Sequence, residues 1–232
     1  MAEIDAAGLT TREINAAIRL AITAGSSEIV VRHPAARHNL AVAVLDPVKL
    51  KIAGSVGYYC GGLNAGGSIE VEGSAGWGLA ESMMTGLVRV HGSAGSGAAA
   101  ALRGGAVVIH GDAAARLGVS MKGGEVIVAG DCGYMAGFMA QKGTLIVCGN
   151  AGEAFADSMY ATVCYVGGNI ASLGTDAVRG EMEEGEAERL EKTLDAYLGA
   201  NHPPAALFQK IVAGRKLWNF DKREWRVWQE AL

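Results

Sequence analysis

Glycine recurs in this chain with a fixed period of 19. Gly54, Gly73, Gly92, Gly111, Gly130, Gly149 and Gly168 follow one another without a gap. A second column, Gly67, Gly86, Gly105, Gly124 and Gly143, keeps the same spacing. Self-similarity at a fixed period of this length is the mark of a stacked-repeat architecture, in which one unit cannot bury its apolar face alone. Before each glycine of the first column lies a short β-branched run. Ile69 and Val71, Val88 and Val90, Val107 and Ile109, Val126 and Val128, and Leu145 and Val147 are examples. Residues two apart on a strand share one face. The pattern predicts coils stacked about 4.8 Å apart, with the glycines at corners where the backbone turns tightly or takes positive φ.

The fold class that follows is mainly β: a right-handed parallel β-helix of about seven 19-residue coils, with an N-terminal helix and a C-terminal helical extension. Its expected bounds are 50–178, between an N-terminal cap at 1–49 and a C-terminal segment at 179–232. The column Cys60, Leu79, Ala98, Leu117, Ala136 and Phe155 alternates small with large, as interdigitating layers require. Asn64, Met83, Leu102, Met121, Ala140 and Met159 form a second, mostly apolar column. Gly61, Ala80, Ala99, Gly118, Gly137 and Ala156 are all small, which indicates a crowded corner.

Repeat stacks need capped ends. Thr10 to Glu13 reads as a capping box, with Ile14, Ala17, Ile18, Ala21 and Ile22 at helical spacing and Gly25 as a stop. An extended segment is expected at Glu28 to Arg32, followed by a linker-like HPAARHN. On the far side, Glu183 to Leu198 reads as an acidic helix with Leu190, Leu194, Tyr197 and Leu198 on one face. A second short helix is expected to run from Pro204 to Ala213, with Gly214 as its stop. Trp218, Trp225 and Trp228 lie in the last 15 residues.

Several kinds of chemistry find little support. The net charge is −4 and there is no dense Lys/Arg stripe, which argues against nucleic acid. The N-terminus has no basic then apolar pattern, and no run of about 18 apolar residues exists, so a cytoplasmic location is expected. Cys60, Cys132, Cys148 and Cys164 form no C-x-x-C pair and read as reduced, buried thiols. The segment G-S-A-G-S-G from Gly92 to Gly97 follows a strand, but Gly92 belongs to the repeat and another coil follows rather than a long helix. There is no phosphate loop and no nucleophile elbow.

Two outward columns carry the remaining signals. Glu72, His91 and His110 share one phase, either as a proton relay or weak metal site, or as a ladder facing solvent or a neighbour. Glu70, Arg89, Val108, Ile127, Ile146 and Tyr165 share the other, with Glu70 and Arg89 placed to pair across coils. Its last four members make an apolar stripe that must be covered, by the chain's own C-terminal helices or by another subunit. Val108, Ile127, Ile146 and Tyr165, with Trp218, Trp225 and Trp228, are therefore the candidate partner interface. The tryptophans suit interface anchors and suit capping the last coil equally.

The coil segments GDCGYMAG (Gly130 to Gly137) and GNAGEAFA (Gly149 to Ala156), and the exit GGNIASLGTDAV (Gly167 to Val178), resemble the C-terminal β-helix domain of glutamate synthase large subunits. The resemblance covers roughly residues 45–180. Free-standing forms occur in complexes, one being methylamine–glutamate N-methyltransferase (N-methylglutamate synthase), whose middle subunit is similar in length, N-terminal helix and the ending AGRKLWNF (Ala213 to Phe220). The resemblance implies a scaffold with no catalytic, cofactor-binding or metal residue of its own. It implies two partners, an amidotransferase-like subunit and a synthase-like subunit carrying FMN and an iron–sulfur cluster. Glycine-rich β-helices also occur in formylmethanofuran dehydrogenase and formyltransferase/hydrolase subunits, the alternative within the same fold.

Overall fold

The structure, a computed structural model, describes residues 1–215. Parallel strands dominate it: β1 (Ala2–Asp5), β2 (Glu28–Arg32), β3 (Lys49–Ala53), β4 (Ala65–Val71), β5 (Thr85–Val90), β6 (Ala106–Ile109), β7 (Lys122–Val128), β8 (Lys142–Val147) and β9 (Ala161–Val166). Each pairs in parallel with the next, so the chain climbs one strand per coil. From Leu50 onward the register advances by 19 at every step, through Ile69, Val88, Val107, Val126, Leu145 and Cys164. A second wall is a column of single bridges from Val56 through Ala75, Ala94, Ala113, Cys132 and Ala151 to Ile170. The parallel β-solenoid expected from the glycine spacing is therefore the fold.

The stack starts before residue 50. Ile29 on β2 pairs with Leu50 on β3, a step of 21 rather than 19, and the segment read as a linker, HPAARHN, lies within that first coil. Its longer loop takes it out of phase with the glycine columns. Helix α1 (Thr11–Thr23) crosses from β1 to β2 and seals this end by burying Ile14 and Ile18. The Thr10 side chain accepts from the Glu13 N–H, and the Glu13 carboxylate accepts from the Thr10 N–H at 2.8 Å, the expected capping box.

The far end differs from expectation. Helix α2 (Glu186–Leu198) forms, but Gln209–Ala213 is a strand, β11, rather than a helix, preceded by a single 3-10 turn at Ala205–Leu207. β11 inserts antiparallel between β9 and β10 (Ala177–Gly180). The unpaired edge of β9 supplies hydrogen-bonding partners that outweigh the local helical spacing of this segment.

Inside, the columns pack as the alternation predicts. Cys60, Leu79, Ala98, Leu117, Ala136 and Phe155 are all fully buried. Asn64 heads the second column and satisfies its amide locally: it donates to the Gly67 and Thr85 carbonyls and accepts from the Gly67 N–H. The interior is thus filled with side chains and leaves no bore along these columns.

At the corner glycines close packing, rather than positive φ, is the operative cause. Of the seven in the first column, only Gly54 has positive φ. The others are needed for space: a Cβ on Gly111 would lie 2.5 Å from Ser93 Oγ and 2.9 Å from the Gly92 carbonyl carbon. What fills that space is a polar ladder. Ser93 Oγ accepts from the Asp112 N–H at 3.1 Å, Asp112 from the Asp131 N–H at 2.9 Å, and Asp131 from the Asn150 N–H at 2.6 Å. In the second column Gly86, Gly105, Gly124 and Gly143 do take left-handed backbone, as at Gly105 with φ +77°, whereas Gly67 does not.

Left-handed backbone is concentrated in a third wall. Tyr59, Gly61 and Leu63 have φ near +60°, and the same three positions recur in each coil to Ala154, Ala156 and Ser158. Alternating handedness keeps the wall extended while its N–H groups bond alternately to the coils on either side, as Gly61 does to Leu40 and Leu63 to Glu81. The non-glycine members carry about 1–2 kcal/mol of strain each, which this continuous bonding offsets.

Candidate functional site

The solenoid presents three outer regions with chemistry of their own. The first is the strand face. Val108, Ile127, Ile146 and Tyr165 form a stripe along β6 to β9, and all four are buried. Their cover is α2, which lays Leu190, Leu194 and Leu198 across them, together with Ala205 and Phe208. Leucines four apart fall on one side of a helix, which is why this segment docks flat. Of the two covers open from sequence, the chain's own helix is the one present, so these four residues have no face left for a partner subunit. Trp218, Trp225 and Trp228 lie outside the described residues.

Polar groups pin α2 at both ends. Glu186, in its first turn, accepts from Lys210 Nζ at 2.8 Å and from the Tyr165 hydroxyl. Burial raises the Glu186 carboxyl, but the hydrogen bonds from Lys210 and Tyr165 outweigh it and leave the group below its ordinary value. Burial and the adjacent Glu186 carboxylate push the Tyr165 phenol upward. At the other end, Arg89 Nη1 donates to the Tyr197 carbonyl at 2.8 Å, and the Tyr197 hydroxyl meets Glu125 at 3.1 Å.

The second region is the histidine column. His91 and His110 stack with ring centroids 5.2 Å apart and planes within 8°, the adjacency that the shared phase predicts. Glu72 does not join them; it pairs with Lys51 at 2.7 Å. Nor do Glu70 and Arg89 pair with each other. Glu70 binds His91 Nε2 at 2.6 Å, and Arg89 Nη1 lies 3.1 Å from His110 Nε2. That contact requires His110 to accept, hence to be neutral. Desolvation, Arg89 and His91 all lower its pKa accordingly. The Glu70 carboxyl is also held low, chiefly by the His91 hydrogen bond. The arrangement is a solvent-edge ladder that fixes Arg89 for its bond to α2. Among the described residues no group of three His, Cys, Asp or Glu side chains is placed to hold a metal ion. The four cysteines are buried, and desolvation pushes Cys60, Cys132 and Cys148 up to about 12, where thiolate chemistry is suppressed.

The third region, which sequence reasoning missed, is the outer surface of the left-handed wall. Tyr58, Leu63, Trp77, Met84, Tyr134 and Met139 all lie on it, each at least 38% exposed. At one end His38, Tyr58 and Trp77 stack, with centroid separations of 4.4 and 5.3 Å. The available signal was the phase shared by Tyr58, Trp77 and Tyr134, a column that stands beside the inward Leu79 and Leu117. No described helix is long and apolar enough to cross a membrane.

No protein-family model matches the chain. It is similar to Protein GlxC of Rhizobium meliloti (strain 1021), with 46% identity over 223 residues, or 95% of this chain and 97% of the relative. Identity at that level over nearly the whole length of both chains settles the relationship: the chain belongs to the Protein GlxC family.

Proposed function

We propose that this chain is the β-helix scaffold subunit of a glutamate-synthase-like complex, holding an amidotransferase-like subunit and an FMN- and iron–sulfur-bearing synthase-like subunit at a fixed separation. In its sharper form the complex is an N-methylglutamate synthase, converting methylamine and L-glutamate to N-methylglutamate and ammonia. The reading rests on the resemblance of the coil and exit segments to the β-helix domain of glutamate synthases. The structural observation that carries it is the exposed wall bearing Tyr58, Leu63, Trp77, Met84, Tyr134 and Met139. Soluble monomers seldom leave an aromatic and methionine-rich surface of this extent in water, and these residue types are favoured at subunit contacts. A solenoid in register over 19-residue steps is also a stiff spacer, since each coil bonds to both neighbours.

The test is co-expression of the chain with an amidotransferase-like and a flavin-synthase-like subunit from the same source. Co-elution in fixed stoichiometry, with the flavin and iron–sulfur absorbance following the synthase subunit, is the expected result. Methylamine-dependent formation of N-methylglutamate by the assembled complex tests the sharper form; glutamine-dependent glutamate formation would redirect it. A chain that elutes alone under all conditions contradicts the scaffold role.

A further inference from the structure

The exposed wall has a particular relief. Two of its outward columns carry large apolar residues at both ends and small ones in the middle. Along one column the order is Tyr58, Trp77, Ser96, Ala115, Tyr134; along another, Leu63, Ser82, Ala101, Ser120, Met139. The bridges Ala75 to Ala94, Ala94 to Ala113 and Ala113 to Cys132 put Trp77 and Tyr134 three coil steps apart. At about 4.8 Å per step the two rings stand about 14 Å from each other. Between them the floor is open: a Cβ on Gly97 would meet nothing within 4 Å. An α-helix with its side chains is about 10–12 Å across. The gap therefore accepts one helix, lying along the direction of the coils and gripped by an aromatic ridge on each side.

Charge gives the helix its character. Arg116 is exposed on the floor itself, in the column of Gly97, and Arg103 is exposed where the wall ends; neither side chain has a hydrogen-bond or ion-pair partner among the described residues. Lys122 continues the Arg103 column one coil on; Glu81, in the coil of Trp77, is the acidic residue on the same stretch, which leaves three basic side chains against one. In a chain of net charge −4 this stretch is locally basic. We infer that the saddle between Trp77 and Tyr134 is the docking site for a single helix of a partner subunit, apolar on its buried face and acidic on its flanks. The inference rests on the scaffold reading and names the surface that reading requires. A helix-in-groove contact of this kind takes its affinity from the buried apolar anchors and its orientation from the flanking charges.

Ser96→Trp fills the saddle. The new ring falls on the phase of Tyr58 and Trp77 and extends their stack, so the isolated chain should keep its melting temperature. In the co-expressed complex, retention of the partner subunit should fall at least about tenfold, because the groove is gone. Arg103→Glu with Arg116→Glu is the second variant. Both sites are exposed, so folding is spared, and affinity should drop about tenfold at low salt, with the gap to wild type closing at high salt as the exposed charges are screened. Cross-links from Arg103 or Arg116 neighbours should map to a helical, acidic segment of the partner. Unchanged assembly by both variants overturns the inference and leaves the scaffold reading standing. Cross-links to a neutral or extended segment overturn it equally. A wild-type chain that assembles with neither subunit overturns both readings, as does retention of nucleic acid that the double charge reversal abolishes.

Discussion

Leu194→Ala probes the contact that closes the strand face. Leu194 is fully buried against Val108, Ile127 and Ile146, in the middle of the leucine row of α2. Truncation removes three carbons' worth of burial and leaves a cavity between a stiff sheet and a helix tied down at both ends, so the site collapses poorly. For such a position a loss of about 3–4 kcal/mol is expected. The helix is held by Glu186 to Lys210 at one end and by Arg89 to Tyr197 at the other, and both ties remain in the variant. The loss can therefore surface in two ways. If α2 opens by itself, its amide protons should exchange at least about 100-fold faster, since each 1.4 kcal/mol is a factor of ten. If α2 opens only with the coils, denaturant unfolding should show the whole loss. Leu20→Ala, on an exposed position of α1, is the control and should change stability by less than about 0.5 kcal/mol. The reasoning is refuted if Leu194→Ala behaves like that control in both exchange and unfolding.

Gly111→Val should destabilise by about 3 kcal/mol or more, because its Cβ meets the Gly92 backbone, which cannot yield, whereas Gly97→Ala, in open space with φ +70°, should lose only about 1–2 kcal/mol; denaturant midpoints compare them. Glu186→Gln should lose about 2–4 kcal/mol by leaving the Lys210 ammonium buried without its carboxylate, and adding Lys210→Met should return part of it in the same assay. His110 has a folded pKa below its unfolded value, so the neutral ring's contribution is present above about pH 6.5 and is lost as the pH falls through the window below that. His202 is shifted upward and works in the opposite direction, so the check is the difference in stability between wild type and His110→Gln across pH 5–8, which should grow toward neutral pH.

Much of the fold was legible because the 19-residue spacing is also the hydrogen-bond register: Gly92 follows Gly73 by the same step that pairs Val88 with Ile69. Which of positive φ and close packing requires the glycines was not legible. The answer lies in the residue after each one, where Ser93, Asp112, Asp131 and Asn150 differ in name but all offer an oxygen to the next coil's N–H. The left-handed wall was hidden for a related cause. Arg116, Met135 and Tyr59 occupy positions that glycine holds elsewhere in the column, so propensity alone gives no sign of positive φ. The first coil escaped notice because its step is 21 residues. The Gln209–Ala213 segment was misread because its strand state depends on the β9 edge, a tertiary partner invisible locally. The apolar stripe was found from periodicity, yet its cover was decided only by where α2 lands. The exposed wall was hidden because Tyr58, Trp77 and Tyr134 are separated in their column by the small residues Ser96 and Ala115, which break the pattern of a continuous apolar stripe.

The proposed scaffold role requires the chain to join two other subunits. The most direct measurement is the mass of the assembly formed by the amidotransferase-like and synthase-like subunits with and without this chain, by light scattering on a size-exclusion column. The account predicts a three-component particle when the chain is present and two separate species when it is withheld. A stable two-component particle that forms without the chain, and that the chain does not enlarge, would contradict it.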